Sequence, residues 1–288
     1  AYFEAWGQLD SVQPGLRGVN LSGSRGCPFT CTFCAETLHT MFGRKLRQRS
    51  PEAIVAELVE IKAKYNLEAF WLTDDTFTTN RKYVERFCDV LEDSGLNLLR
   101  GCTTRANLIP EYLIKRMQEV GLRKVGIGLE SATEKIREGV YNKEVSDVEV
   151  SETVHNLHKH GVQTLLFLMI GAPSETRLDM LKTIRLATSL PATEASYSLF
   201  VPLPGTEVYN QMLRDGYTLS ADPTDYDYYA KQPFEHELSR FELRMWQRLG
   251  YARFYASRKR LPSLIRIIQS DKGRRSLRRK LKRILPIF

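Results

Sequence analysis

Cys27, Cys31 and Cys34 share one short segment, Arg25-Gly26-Cys27-Pro28-Phe29-Thr30-Cys31-Thr32-Phe33-Cys34. The Cys-x3-Cys-x2-Cys spacing offers three thiolates from a single loop. Thiolates select soft metals and iron–sulfur clusters, and a cubic cluster of four irons held by three cysteines keeps one iron open to a reactant. A structural zinc site is the alternative. It would take Cys27, Cys31 and Cys34 with His39 as the fourth ligand, because closed zinc sites want four protein ligands in tetrahedral geometry. The loop follows a short apolar strand signal, Gly18-Val19-Asn20-Leu21, and precedes a long helix. The cysteines therefore stand at a strand's end rather than inside a small metal-folded module, and strand ends are where barrel enzymes keep their chemistry.

The elements that must carry this loop alternate. Ser50 and Pro51 open a helix as N-cap and first helical residue, with Ile54, Val55, Leu58, Val59 and Ile61 at helical spacing. Ala69 to Thr73 reads as a second strand, ending in Asp74-Asp75, and Asn80 opens a helix that closes near Gly95. Leu98 to Thr103 is a third strand, Glu111 to Val120 a helix, and Lys124 to Gly128 a fourth strand that runs on to Glu130. A helical pair is expected over residues 133–160. Val162 to Ile170 is a nearly unbroken apolar run, as in a parallel sheet covered on both faces. It ends at Gly171-Ala172-Pro173-Ser174-Glu175. A helix over 175–189 and a sixth strand, Ala195 to Phe200, complete the series. Alternating strands and helices with short links imply a parallel sheet with right-handed crossovers. Six units predict an open α/β fold, a partial (βα)6 TIM-like barrel with a mostly helical C-terminal extension. The loops after its strands bring the cysteines, Asp74, Asp75, Arg105, Glu130, Gly171 to Glu175 and Pro202 to Thr206 to one rim.

At 288 residues and 42% apolar content, one large core with an appendage is expected. The expected boundaries are residues 1–215 for the barrel, 216–256 for an extension over it and 257–288 for a tail. Cys88 and Cys102 fall inside regular elements and read as buried small hydrophobes. The cysteine pattern suits a reducing cytoplasm and gives no disulfide framework. No signal peptide and no apolar run of membrane-spanning length is read. The net charge of +8 divides into +11 over Ser257 to Phe288 and −3 over the rest. Leu277, Leu281, Ile284 and Leu285 would share one helical face among the tail's cations. Such a helix suits an anionic membrane surface, here the inner membrane; nucleic acid would use the same charge, and a solvated tail is the plain alternative. His155, His158 and His160 read as a polar helix face.

The chain resembles the radical S-adenosylmethionine (SAM) superfamily. The resemblance rests on the cysteine spacing with Phe33 just before the third cysteine, and on the segments 72–78, 104–107, 126–131 and 202–206. Those segments look most like the branch with cobalamin-binding enzymes and elongator-type or methylthiotransferase-type relatives. The resemblance implies a 4Fe-4S cluster on Cys27, Cys31 and Cys34 whose free iron chelates SAM. Reductive cleavage would then give a 5′-deoxyadenosyl radical that abstracts hydrogen from a small-molecule or lipid substrate, for methylation or ring formation. It implies an electron donor such as flavodoxin or ferredoxin. It would place Asp74 and Asp75, where many relatives carry Gly-Gly-Glu, near the methionyl ammonium, Arg105 at its carboxylate, Glu130 at the ribose, and Gly171, Ala172 and Pro173 at the adenine. Other readings stay open: turn chemistry for one aspartate, a rim ion pair of Arg105 with Asp74 or Asp75, and a helix cap for Glu130. Against the family's Gly-x-Ile-x-Gly-x-x-Glu pattern, Phe167 replaces the first glycine, Met169 the isoleucine and Ser174 the glutamate. The Asp-x-His-x-x-Gly corrinoid signature does not occur in these residues, so cobalamin would require a domain upstream of Ala1. The non-enzymatic alternative is a zinc-binding adaptor with a basic tail.

Overall fold

The computed structural model describes residues 12–13, 15–34, 43–226, 233–257 and 260. Among the described residues eight strands form: β1 (Gly18–Leu21), β2 (Ser24–Arg25), β3 (Arg47–Gln48), β4 (Ala69–Leu72), β5 (Leu99–Thr104), β6 (Leu122–Glu130), β7 (Gln163–Ile170) and β8 (Glu194–Leu199). The short β2 and β3 make an antiparallel ribbon, and the other six form one parallel sheet in the order β1-β4-β5-β6-β7-β8. Sequential order with β1 and β8 at opposite edges is that of a partial, six-unit TIM-like barrel.

The helices are α1 (Pro51–Tyr65), α2 (Arg81–Asp93), α3 (Glu111–Glu119), α4 (Glu134–Arg137), α5 (Asp147–Lys159), α6 (Arg177–Ser189), α7 (Glu207–Arg214) and α8 (Arg240–Tyr255). Ser50, Asn80, Thr206 and Ser239 accept a backbone N–H at the first turns of α1, α2, α7 and α8. Ser146 and Thr176 open α5 and α6 with full capping boxes. The helical pair expected over residues 133–160 is α4 and α5, of which α4 is only about one turn, and the segment between them brings Lys143 to Glu130.

The core lies between the helices and the sheet's outer face, where Phe70, Leu72, Val125, Ile127, Leu166 and Leu168 are buried. Cys88 and Cys102 are buried there too, as their positions inside regular elements suggest, and burial pushes the Cys102 thiol up to about 12. The free edge of β8 is covered by α8. Tyr251 Oη accepts the Tyr197 N–H at 3.1 Å, and Gln247 Nε2 donates to the Tyr197 carbonyl at 2.7 Å. An edge strand that would otherwise offer open backbone groups is thereby closed. Arg260, inside the expected tail, is docked on the body. It donates to the carbonyls of Ala187, Thr188, Leu190, Ala192 and Phe254, and its guanidinium stacks 3.6 Å from the Phe254 ring centroid. Residues 261–288 lie outside the described residues. No helix among those described is long and apolar enough to cross a membrane.

Candidate active site

The cysteine loop leaves β1 and is fastened to its neighbours at the residues between the cysteines. Gly26 starts it with φ +90°, and a Cβ there would sit 2.5 Å from the Lys45 carbonyl, so only glycine fits. Thr32 donates its N–H to the Tyr141 carbonyl at 3.0 Å and its hydroxyl to that of Val140 at 2.5 Å. Asn142 Nδ2 reaches Thr30 at 3.1 Å (carbonyl) and 2.9 Å (hydroxyl), and the Val208 N–H, in the first turn of α7, reaches the Thr32 carbonyl at 3.0 Å. Phe33 lies edge-on to Tyr141 at 5.2 Å between ring centroids.

The three cysteines are in no disulfide and are half-buried. Burial raises the Cys27 thiol, opposed by the Phe29 N–H; the Asp75 charge adds to the rise and the Thr76 hydroxyl opposes it. Arg105 Nη1 donates to Cys31 Sγ at 3.2 Å. Three accessible thiols in one fixed loop at the rim of a parallel sheet, one already met by a guanidinium N–H, fit an iron–sulfur cluster. Among the described residues no three His, Cys, Asp or Glu side chains converge on one ion position; thiolates on separate irons of a cluster need not do so. His39, the zinc alternative's fourth ligand, lies outside the described residues.

The other expected site residues divide by role. Asp74 is 3% exposed, accepts the Gly23 N–H at 3.0 Å and is hydrogen-bonded by the Ser24 hydroxyl. Burial raises its carboxyl, and the two hydrogen bonds pull it back. Its oxygens thus fasten the start of the cysteine loop to the end of β4 through long-range bonds, not through the local turn chemistry left open for one of the pair. Asp75 is exposed and close enough to Cys27 for its charge to act there. Arg105 makes no pair with Asp74. Its Nη2 donates to the Glu144 carbonyl at 3.1 Å, and its guanidinium lies 4.1 Å from the Phe29 ring centroid.

Glu130 does not cap the next helix, whose N-cap is Thr133. A register shift between Gly128 and Glu130, with Glu130 at φ +60°, turns its carboxylate onto Lys143 Nζ at 2.8 Å. A Cβ at Gly128 would lie 2.3 Å from both Glu130 Oε1 and Lys143 Nζ, so a side chain there would displace the pair. Gly171, Ala172 and Pro173 are buried at the end of β7, and the Gly171 and Ala172 N–H groups donate to Glu175 Oε2 at 2.6 and 3.1 Å. His236 Nδ1 accepts the Leu238 N–H at 2.9 Å, so its Nε2–H donates to the Ala172 carbonyl at 3.0 Å.

Lys143 and Tyr141 were not singled out by sequence as site residues, and Glu175 was read only as part of the rim turn 171–175. Burial pushes the Glu175 carboxyl up to about 7 against its two N–H donors, and burial raises the Tyr141 hydroxyl. Tyr141 Oη and Glu175 Oε1 are both buried without a protein partner.

The family model described as the Radical SAM superfamily matches residues 21–187. The chain is 32% identical over 197 residues to an uncharacterized methyltransferase of Pyrococcus horikoshii, covering 68% of this chain and 42% of that protein. It is 29% identical over 245 residues to the anaerobic magnesium-protoporphyrin IX monomethyl ester cyclase of Cereibacter sphaeroides, covering 84% and 39%. Among solved structures, the radical S-adenosylmethionine methyltransferase TsrM from Kitasatospora setae, with cobalamin and a [4Fe-4S] cluster bound, superposes with a TM-score of 0.64 at 16% identity. That match covers 73% of this chain and 42% of TsrM. The chain thus spans about two-fifths of the length of these relatives.

Proposed function

The chain belongs to the radical SAM superfamily, and from that premise we propose that it initiates hydrogen abstraction on a small-molecule or lipid substrate, leading to methylation or ring formation. Cys27, Cys31 and Cys34 would hold the 4Fe-4S cluster, which with bound SAM supplies the 5′-deoxyadenosyl radical. The observation that carries this reading is the cysteine loop itself, with its intervening residues Thr30 and Thr32 tied down and its three thiols left accessible at the rim.

This chain's residues divide the remaining work. Asp75 offers an exposed carboxylate whose charge reaches Cys27, suited to the methionyl ammonium. Glu130 and Lys143 present a buried acid and cation side by side, suited to hydroxyl and carboxylate groups of the same molecule. With two of their N–H groups taken by Glu175, Gly171, Ala172 and Pro173 are left to meet an adenine through the Gly171 and Pro173 carbonyls. On the sheet's concave face Phe167 and Met169 are half-exposed beside Ser196 and Ser198. An apolar floor with a hydroxyl edge supports a largely apolar substrate.

A reductant is required by the family's chemistry, and a flavodoxin or ferredoxin would serve. Cobalamin, bound in the TsrM structure, would have to be held by residues other than these. The basic segment 257–288 would give peripheral contact with an anionic membrane more readily than with nucleic acid. The test is anaerobic reconstitution with iron and sulfide, addition of SAM and a strong reductant, and assay of 5′-deoxyadenosine. Product is expected from the wild type and at least 100-fold less, on the order of 3 kcal/mol of lost barrier reduction, from Cys27→Ala, Cys31→Ala or Cys34→Ala. Bound zinc with no product, or full activity in all three variants, refutes the proposal.

A further inference from the structure

Arg105 stands at the C-terminal end of β5, 7% exposed, with its guanidinium held on three sides. Nη1 donates to Cys31 Sγ at 3.2 Å, Nη2 donates to the Glu144 carbonyl at 3.1 Å, and the Phe29 ring covers one face with its centroid 4.1 Å from Cζ. Phe29 and Cys31 belong to the same loop, so the cation is pinned by the segment whose sulfur it contacts. Guanidinium does not lose its proton in proteins, and its planar fork fixes the direction of each N–H. A permanent positive charge with a directed N–H is therefore built against one of the three thiols.

We infer that Arg105 is a positioning residue for the cluster, which through Cys31 raises the cluster's reduction potential, rather than a ligand of the SAM carboxylate. The inference rests on the cluster reading of the cysteine loop. Hydrogen bonds to ligand sulfurs and nearby charge are among the levers that set iron–sulfur potentials. Reduction adds one negative charge to the cluster. A cation held in a water-poor site favours that added charge, and the N–H draws density from the sulfur that carries part of it. Both Nη groups are already engaged, and Nε is buried without a partner. Each Nη keeps a second N–H, so a carboxylate could reach the guanidinium without breaking these contacts, but it would share a cation already set against Cys31.

The test is a redox titration of the anaerobically reconstituted protein, followed by electron paramagnetic resonance of the reduced cluster. Wild type is compared with Arg105→Gln, Arg105→Lys and Phe29→Leu, and SAM binding is measured beside it by equilibrium dialysis. Arg105→Gln is expected to load the same iron and sulfide and to be about tenfold less reduced at a fixed potential, a midpoint about 59 mV more negative for one electron. Arg105→Lys, which keeps the charge and loses the fork, should recover part of the shift. Phe29→Leu should move the midpoint the same way by less, and SAM affinity should hold within about twofold in all three, under about 0.5 kcal/mol. A wild-type midpoint in Arg105→Gln overturns the inference, and so does an unchanged midpoint with SAM binding lost, which would give Arg105 to the SAM carboxylate. If Arg105→Gln loads no iron, Phe29→Leu decides, and an unchanged midpoint there overturns the inference. A wild-type protein that holds zinc and no reducible cluster overturns the underlying reading as well, whereas a reducible cluster with an Arg105-independent midpoint overturns this inference alone.

Discussion

Replacing Glu175 by Gln should change how stability depends on pH. Glu175 is 2% exposed, accepts the Gly171 and Ala172 N–H groups through Oε2, and leaves Oε1 buried without a partner. Burial outweighs the two donors and lifts the carboxyl from 4.5 to about 7. Between those values the unfolded chain has released the proton and the folded chain keeps it. The folded state then binds more protons, so stability falls as pH rises. The contribution is fully present below about 4.5 and is lost as the pH passes about 7. At about 1.4 kcal/mol per pH unit, the ionised carboxylate costs the fold about 3 kcal/mol above pH 7 relative to the acid. Glutamine keeps an oxygen for both N–H groups and cannot ionise. Glu175→Gln should therefore match the wild type near pH 4.5 and exceed it by about 3 kcal/mol near pH 8. Urea unfolding of the reduced, cluster-free protein across that range measures the difference, provided the two slopes with urea agree. Asp74, also raised by burial, is common to both proteins, so the difference isolates Glu175. Parallel pH curves would mean that the carboxylate is already ionised in the folded state and would refute the reasoning.

Two further substitutions probe the charges that the fold buries. Lys143→Met leaves Glu130 as an unpaired charge that is 8% exposed, and should cost about 3 to 5 kcal/mol in urea unfolding at pH 7, with much of it restored by Glu130→Gln in the same chain. An unrestored double variant would show that the two side chains act separately. Arg260→Ala removes the cation that serves the last carbonyls of α6 and stacks on Phe254, and a loss of about 3 kcal/mol is expected by the same measurement. A change below about 0.5 kcal/mol would place Arg260 with ordinary surface residues.

Most of the frame was legible because strand and helix signals alternate along the chain, with β7 a nearly continuous apolar run even though its concave side is half-exposed, and because Ser50, Asn80 and Pro51 mark helix starts directly. The site was legible where one short segment supplies it, as with the three cysteines. It was not legible where a backbone irregularity re-aims a side chain. In the sequence Ser174 stands at the position where the family pattern puts glutamate. In the structure Ser174 adopts φ +59°, adding a residue to the turn and swinging Glu175 back over the Gly171 and Ala172 N–H groups. Glu130 is turned onto Lys143 in the same way, by the register shift beside Gly128. Lys143 sits in the break between α4 and α5, which Gly139, Asn142 and the Ser146 cap mark locally, but nothing local says where its side chain goes. Its partner is set by the strand it crosses, a long-range fact that propensity does not carry.

The cysteine loop draws its shape from residues far along the chain. Thr30 and Thr32 are held by residues 140–142 and by Val208, Ser24 by Asp74, and Cys31 by Arg105. From Phe33 a run of rings, Tyr141, Phe200, Phe234 and His236, continues into the C-terminal extension with successive centroids 5.2 to 6.0 Å apart. In a small zinc module the metal supplies the folding energy and the chain is unfolded without it. Here each fastening is a hydrogen bond or ring contact between parts of the barrel, so the barrel contributes to the loop's shape. His236 closes the run by donating to the Ala172 carbonyl. The contacts thus run unbroken from the turn after β7, through His236 and the packed rings, to Phe33 in the cysteine loop.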